Sequence, residues 1–428
     1  MASGSLIRLL RSLIAADYTA SPVPHLTIEL PPDVDPPTKT FLESFSWPPA
    51  HLASARRSKS LTVRHRIPRQ ALTEEESSAR FLESFWPSKP KSSHVLVLSP
   101  RVELEPQFFH CKSPSSSTDY QPSTQLEGPV FTNHNATTDL KYTALQYRDA
   151  SRLFAISLEQ PTRLLDEKAP LTLPSRTTDI ESPEAGGDAP TSFLWQAPSS
   201  NAVLYMGEKW MDLHKFVSRS LVTAGRGSTG SLLAEKLVSK KHPSWLEHAL
   251  RLARLRGYYT LYPGEETARN LATVHSELYH APEEYEAEAA AQAAGPGPLL
   301  ADDATEEEVE EARQRARAEL ETESPPSSAA GGGSPASLLD ALPSGAELRP
   351  VVKLPLLAWD GAAAEAWHLD REAARLAAVF RREVGGCRDG GAAAAAAEGD
   401  AEAEADAPAP ADSKDVLIQD LFCDSGAV

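Results

Sequence analysis

Three cysteines in 428 residues leave little sulfur chemistry to consider. Cys111, Cys387 and Cys423 are odd in number and widely spaced, so the sequence predicts neither a disulfide framework nor a CxxC metal site. Long hydrophobic runs are missing too. None approaches the roughly 18 residues needed to span a bilayer, and no membrane span is expected in this chain, which reads as soluble. The N-terminus, MASGSLIRLLRSLIAADY, is punctuated by Arg8 and Arg11 and lacks the apolar core of a secretory signal. Basic charge is also short: 42 Lys and Arg stand against 60 Asp and Glu, a net charge of -18. A nucleic-acid partner needs clustered cations for its phosphates, so that class is excluded.

The acidic excess is local. It sits in Glu283 to Glu323 and Glu398 to Asp412, whereas most basic residues fall in the first 260 positions. With 35 prolines, 23 glycines and a low-complexity stretch after residue 281, roughly 250 residues remain to build a core, enough for one substantial domain.

Periodicity organises that domain. Leu6, Leu9, Leu10 and Leu13 recur at helical spacing, which predicts an amphipathic helix ending near Asp17. A strand follows at His25 to Leu30, and the prolines of PPDVDPP then impose a loop. Thr38 to Phe45 reads as a short helix and Leu61 to Ile67 as a β-rich run. Thr73 and Glu76 form a capping box that opens another helix.

His94 to His110, HVLVLSPRVELEPQFFH, reads as a strand, a carboxylate-bearing turn and an aromatic helix start. Strands are expected at Leu153 to Leu158 and Tyr258 to Tyr262, with helices at Trp210 to Leu221 and Ser244 to Arg256. The last of these is opened by a second capping box, Ser244 and Glu247, and closed by Gly257. Helix and strand alternate, so the fold class is α/β with a mostly parallel sheet flanked by helices. Residues 111–139 interrupt this order as an insert, and a charged helix is expected near Thr305 to Glu321.

The succession SLIRLLRSLIAADY, HLTIELPPDVDPPT, HVLVLSPRVELEPQFF and HPSWLEHALRLARLRGYYTLYPG resembles the glycosyltransferase family 2 domain, most closely its fungal branch. The resemblance spans residues 1–285. It implies a GT-A-like scaffold, followed by an acidic linker over 286–336, a docking extension over 337–387 and a largely disordered tail over 388–428. Only four residues precede the first helix, so the family's first strand and any upstream membrane anchor are expected to be missing.

That resemblance implies transfer of a sugar from a nucleotide-sugar donor to an acceptor that the sequence does not specify. Asp33 and Asp35, beyond the second strand of the family, are the positions expected to hold the nucleotide. The family's metal-binding Asp-x-Asp is replaced by Ser99, Pro100 and Arg101. Glu103 is left as a single candidate ligand for Mg²⁺ or Mn²⁺, and Arg101 as a direct contact to the diphosphate. The family's catalytic acidic pair is also absent. Glu247 is the nearby acid, and it fits both a general base and a helix cap. Trp195 and Gln196 are the acceptor-binding candidates. The missing carboxylates also suit a second reading, a catalytically inactive GT-A-like scaffold that binds protein partners.

Overall fold

The computed structural model describes residues 5–18, 23–32, 34–49, 52, 60–65, 73–106, 108–109, 144, 147, 150–174, 192–225, 235–294, 354–387 and 421–423. Asp33, the insert at 111–139, the expected helix at 305–321 and the linker beyond residue 294 lie outside them.

The first elements are α1 (Ser5–Ala15), β1 (Leu26–Leu30), α2 (Pro36–Ser44), β2 (Leu61–His65), α3 (Glu74–Glu83), β3 (Val95–Leu98) and β4 (Val102–Leu104). They are followed by β5 (Leu153–Ser157), β6 (Phe193–Trp195), β7 (Ala202–Tyr205), α4 (Gly207–Gly225), α5 (Trp245–Arg256), β8 (Tyr259–Tyr262), α6 (Glu265–Arg269) and β9 (Ala272–Val274). The last are α7 (Glu286–Ala294), β10 (Leu356–Leu357) and α8 (Ala366–Glu383). The chain divides into two compact units. One is Met1–Glu284 with Ser337–Val428; the other is Tyr285–Ala336, whose described helix is α7.

In the first unit a six-stranded sheet runs in the order β10-β6-β8-β5-β7-β3. The α/β class holds, with helices flanking this sheet. Its parallel character is partial: β10–β6 and β5–β8 pair parallel, whereas β6–β8, β5–β7 and β3–β7 pair antiparallel. Beside it, β1 and β2 form a parallel pair. Residues 102–104, read from sequence as part of a turn, are instead β4, paired antiparallel with β9. The alternation Val102-Glu103-Leu104 buries both apolar side chains and leaves the acid half-buried, which a strand does with its period of two.

Side-chain alternation divides the core between the two faces of the sheet. Val95, Val97, Phe193, Trp195, Val203, Tyr205 and Tyr262 join α3, α4, α5 and α8 on one side through Leu82, Trp210, Phe216, Leu250 and Phe380. Leu96, Leu98, Leu194, Leu204 and Leu261 join the other, with Leu6, Leu9, Leu10 and Leu13 of α1 and Ile28 and Leu30 of β1. Each Leu buried this fully contributes about 2 kcal/mol, which outweighs the weak intrinsic preference of an 11-residue helix.

The C-terminal extension belongs to the same unit as the six-stranded sheet. Leu356 and Leu357 add a strand to β6, and α8 packs along α5. Two expectations fail here. Cys387 and Cys423, 36 residues apart, form a disulfide, and Leu421 and Phe422, assigned to the tail, are buried. Phe422 meets both Phe216 and Phe380, so a three-ring contact seats the segment that carries Cys423 beside the end of α8. Sequence separation conceals such a pairing because it is made by packing. No helix among the described residues is long and apolar enough to cross a membrane.

Candidate functional site

Strand direction brings the polar chemistry to one edge. β5 and β8 run together and β3 runs with them, since both β3 and β5 oppose β7. The carboxyl ends of β3, β5 and β8 therefore lie on the edge where β7 begins. Arg101 follows β3, Glu159 follows β5 and Asn201 precedes β7. Open α/β sheets bind ligands at this kind of edge, because strand ends diverge there and leave loop side chains convergent.

Three of these side chains form a chain of hydrogen bonds. Arg101 donates to Asn201 Oδ1 from Nε at 3.3 Å and from Nη2 at 3.0 Å. Asn201 Nδ2 donates to Glu159 Oε2 at 3.1 Å, and Ser199 Oγ donates to Glu159 Oε1 at 2.5 Å. Ser199 is itself fixed, since its carbonyl accepts from the buried Tyr205 hydroxyl at 2.7 Å. Glu159 is 8 % exposed. Burial pushes its carboxyl above the ordinary range, against the opposing pull of Ser199, Asn201, Arg101 and His242.

The surroundings of Arg101 are mostly cationic. Its guanidinium lies 5.5 Å from the Tyr279 ring centroid, and Tyr279 Oη donates to the Lys241 carbonyl at 3.3 Å. Glu167 collects Arg163 at 3.5 Å, His242 at 3.3 Å and Lys241 at 3.7 Å. The close approach of the His242 imidazole, together with these charges, holds the Glu167 carboxyl below its usual range despite partial burial. Glu167 also has φ 62, a left-handed conformation that costs a non-glycine residue about 1 kcal/mol. Backbone bonds from Leu164 N to Ala169 O at 3.0 Å and from Leu171 N to Thr162 O at 2.9 Å close the hairpin that maintains it.

The residues expected from sequence fare differently. Asp35 is the N-cap of α2: its Oδ2 accepts from Thr38 N at 3.1 Å, with Pro36 and Pro37 opening the helix. Its Oδ1 is buried without a partner among the described residues. Trp195 and Gln196 are 1 % and 3 % exposed. Trp195 packs against Tyr262, and Gln196 Nε2 donates to the Ala253 carbonyl at 3.5 Å, so both face the interior and not an open groove.

Glu103 is held by His275 Nε2 at 2.8 Å, and Arg8 lies 4.0 Å from the same oxygen. His275 Nδ1 in turn lies 3.0 Å from Glu277 Oε1. A hard divalent cation prefers several oxygen ligands and is repelled by a neighbouring guanidinium. Among the described residues no group of three or more His, Cys, Asp and Glu could hold an ion. The surroundings of Glu103 therefore do not fit Mg²⁺ or Mn²⁺.

Glu247 sits in the first turn of α5 and is 1 % exposed. Its Oε2 accepts from Leu237 N and Val238 N, both at 2.9 Å, and its Oε1 from Arg251 Nε at 2.8 Å. The carboxylate thus anchors the segment before α5. The capping box expected between Ser244 and Glu247 does not form. Ser244 already has helical dihedrals, and its hydroxyl turns to the Glu74 carbonyl at 2.9 Å and to Ser78 Oγ at 2.9 Å. Tertiary packing of α5 on α3 has redirected both side chains. The box at Thr73 and Glu76, by contrast, is formed.

Sequence reasoning passed over Glu159, Ser199 and Asn201. An acid placed just past the apolar strand LFAIS was a usable signal, but Ser199 and Asn201 are ordinary turn residues until β7 is set beside β5. No protein-family model matches the chain, and no curated protein or solved structure is significantly similar to it.

Proposed function

We propose that this protein is a glycosyltransferase that takes its sugar from a nucleotide-sugar donor on a GT-A-like scaffold. The observation that carries this reading is the convergence of Arg101, Asn201 and Glu159 at the common carboxyl edge of β3, β5 and β8, amid Arg163, Lys241 and His242. In sugar transfer the acceptor oxygen attacks the anomeric carbon while the bond to the diphosphate breaks. Fixed cations at the departing diphosphate lower that barrier because its negative charge grows as the bond opens. Arg101 is suited to that role. Neither a metal ion nor Glu247 enters this mechanism, and the base is left unassigned.

Isothermal titration of the full chain with uridine and guanosine diphosphosugars tests the reading. Binding that is weakened in Arg101→Ala is expected; no heat with any donor overturns it. The second reading, a GT-A-like scaffold without turnover that binds protein partners, is favoured by the engagement of Glu247 and the interior placement of Trp195 and Gln196. Donor binding with neither hydrolysis nor transfer would select it.

A further inference from the structure

We infer that Glu159 is a positioning residue, which orients Arg101 through Asn201 to receive a diphosphate group. This deepens the donor reading above and rests on it for the identity of the anion.

The direction of one amide sets the attitude of Arg101. A primary amide is an acceptor at one end and a donor at the other, so a half-buried Asn between two groups is oriented by whichever of them is fixed in kind. Arg101 can only donate. Glu159 Oε2 accepts from Asn201 Nδ2 at 3.1 Å, and this contact turns Oδ1 toward the guanidinium. Were the acceptor at Glu159 removed, only the guanidinium itself would orient the amide, and Asn201 would lose the contact that fixes its side chain, and through it Arg101, to the end of β5.

The carboxylate is itself fixed. Ser199 Oγ holds its second oxygen, and the Ser199 hydroxyl accepts from Asn201 N at 3.2 Å. The Glu159 backbone is tied to the end of β5, with its N–H donating to Ser157 Oγ at 3.2 Å and its carbonyl accepting from that hydroxyl at 2.9 Å. Sheet, turn and side chains therefore set the position of Asn201 from two sides.

Arg101 gains a defined attitude from this. Nε and Nη2 converge on the single oxygen of Asn201, and the Tyr279 ring lies beside the guanidinium. Nη1 makes no hydrogen bond among the described residues. A guanidinium held along one side and presenting the other is prepared for a charged oxygen acceptor, because the geometry of the donor is fixed before the ligand arrives. The ligand class follows from charge. Arg101, Arg163 and Lys241 are set against Glu167 and Glu159, with His242 beside them, so cations are in excess at this edge.

The test uses inorganic pyrophosphate, titrated calorimetrically into the full chain. Wild type is expected to bind, and Arg101→Ala to weaken binding about tenfold, as expected for loss of one charge-assisted contact. Glu159→Leu should produce the same loss and Asn201→Ala a similar one. In the double variant Arg101→Ala with Glu159→Leu the losses should not add, because Glu159 acts only through the arginine. Glu159→Gln should retain binding, since its carbonyl can accept from Asn201 while its amide donates to the Ser199 hydroxyl.

Additive losses, or unchanged binding in both Glu159→Leu and Asn201→Ala, would overturn the inference. So would the absence of pyrophosphate binding to wild type. If Glu159→Leu does not fold, Asn201→Ala alone decides, in single and double form with Arg101→Ala. Pyrophosphate binding with no response to any diphosphosugar would leave the positioning role standing and remove the donor reading.

Discussion

Glu159 and Glu247 are both buried carboxylates with both oxygens engaged, yet they are satisfied in different ways. Glu247 receives two backbone N–H groups and the charged Arg251 directly. Glu159 receives a hydroxyl and an amide, both neutral, and meets its cation only through Asn201. A carboxylate ringed by backbone donors and a guanidinium belongs to the architecture, because breaking it undoes a loop. One held by neutral groups at a strand end is weakly committed to its charge, and weak commitment is what permits a functional role. The site is therefore better sought where compensation is incomplete than where acids are closest to the helix expected to carry the base.

The largest effect should come from Glu247→Ala, which leaves Arg251 and two N–H groups without their acceptor. A loss of about 3 kcal/mol is expected, the cost of breaking a mostly buried pair, read as a lower midpoint in urea. A loss below about 0.5 kcal/mol, the scale of ordinary surface changes, would erase the distinction drawn here.

The pH dependence of stability separates the two regions next. Glu159, with its carboxyl raised, binds more protons folded than unfolded, so its contribution weakens as pH rises from the ordinary carboxylate value of 4.5 through its folded value. Beside Glu247 the opposite holds. His248 is 1 % exposed, has neither ring nitrogen hydrogen-bonded among the described residues, and is pushed down to about 4, mainly by burial. It is carried neutral, and stability is lost as pH falls from 6.5 toward 4. Glu159→Gln should flatten the decline on the alkaline side and His248→Leu the one on the acid side, the latter by up to about 3 kcal/mol between pH 6.5 and pH 4. Chemical denaturation between pH 4 and pH 9 gives both, and a slope unchanged in either variant contradicts the assignment for that residue.

The smallest effect is expected at Asp35. Asp35→Ala should cost about 1 kcal/mol through loss of the α2 cap. If Asp35 only caps, donor affinity stays at the wild-type value; if Oδ1 meets the ribose, nucleoside diphosphate binding weakens while pyrophosphate binding does not. Calorimetry with both ligands distinguishes them.

How much of this was legible depends on the range of the interaction. The Thr73 and Glu76 box, the αL cap at Gly257 with φ 64 and the apolar stripe of α1 are written in neighbours three or four residues apart, and all three formed. Ser244 and Glu247 carry the same local pattern and did not form it, because α3 offered Ser244 the Glu74 carbonyl and residues 237 and 238 offered Glu247 their N–H groups. Arg101 and Asp35 lie beyond strands and Glu103 inside β4, and their partners Asn201, Thr38 and His275 differ in range. Only the Asp35 cap lies close enough in sequence to be read there.

The sequence by itself determined the α/β class and most element positions, since these follow from periodicity and nearest-neighbour capping. The tertiary structure alone decided the order and direction of the strands, the pairing of Cys387 with Cys423 and the burial of Trp195 and Gln196. It also decided which of two glutamates is an anchor and which completes a polar chain. A carboxylate's role depends on donors brought to it across tens or hundreds of residues, and no local pattern records which donors those will be.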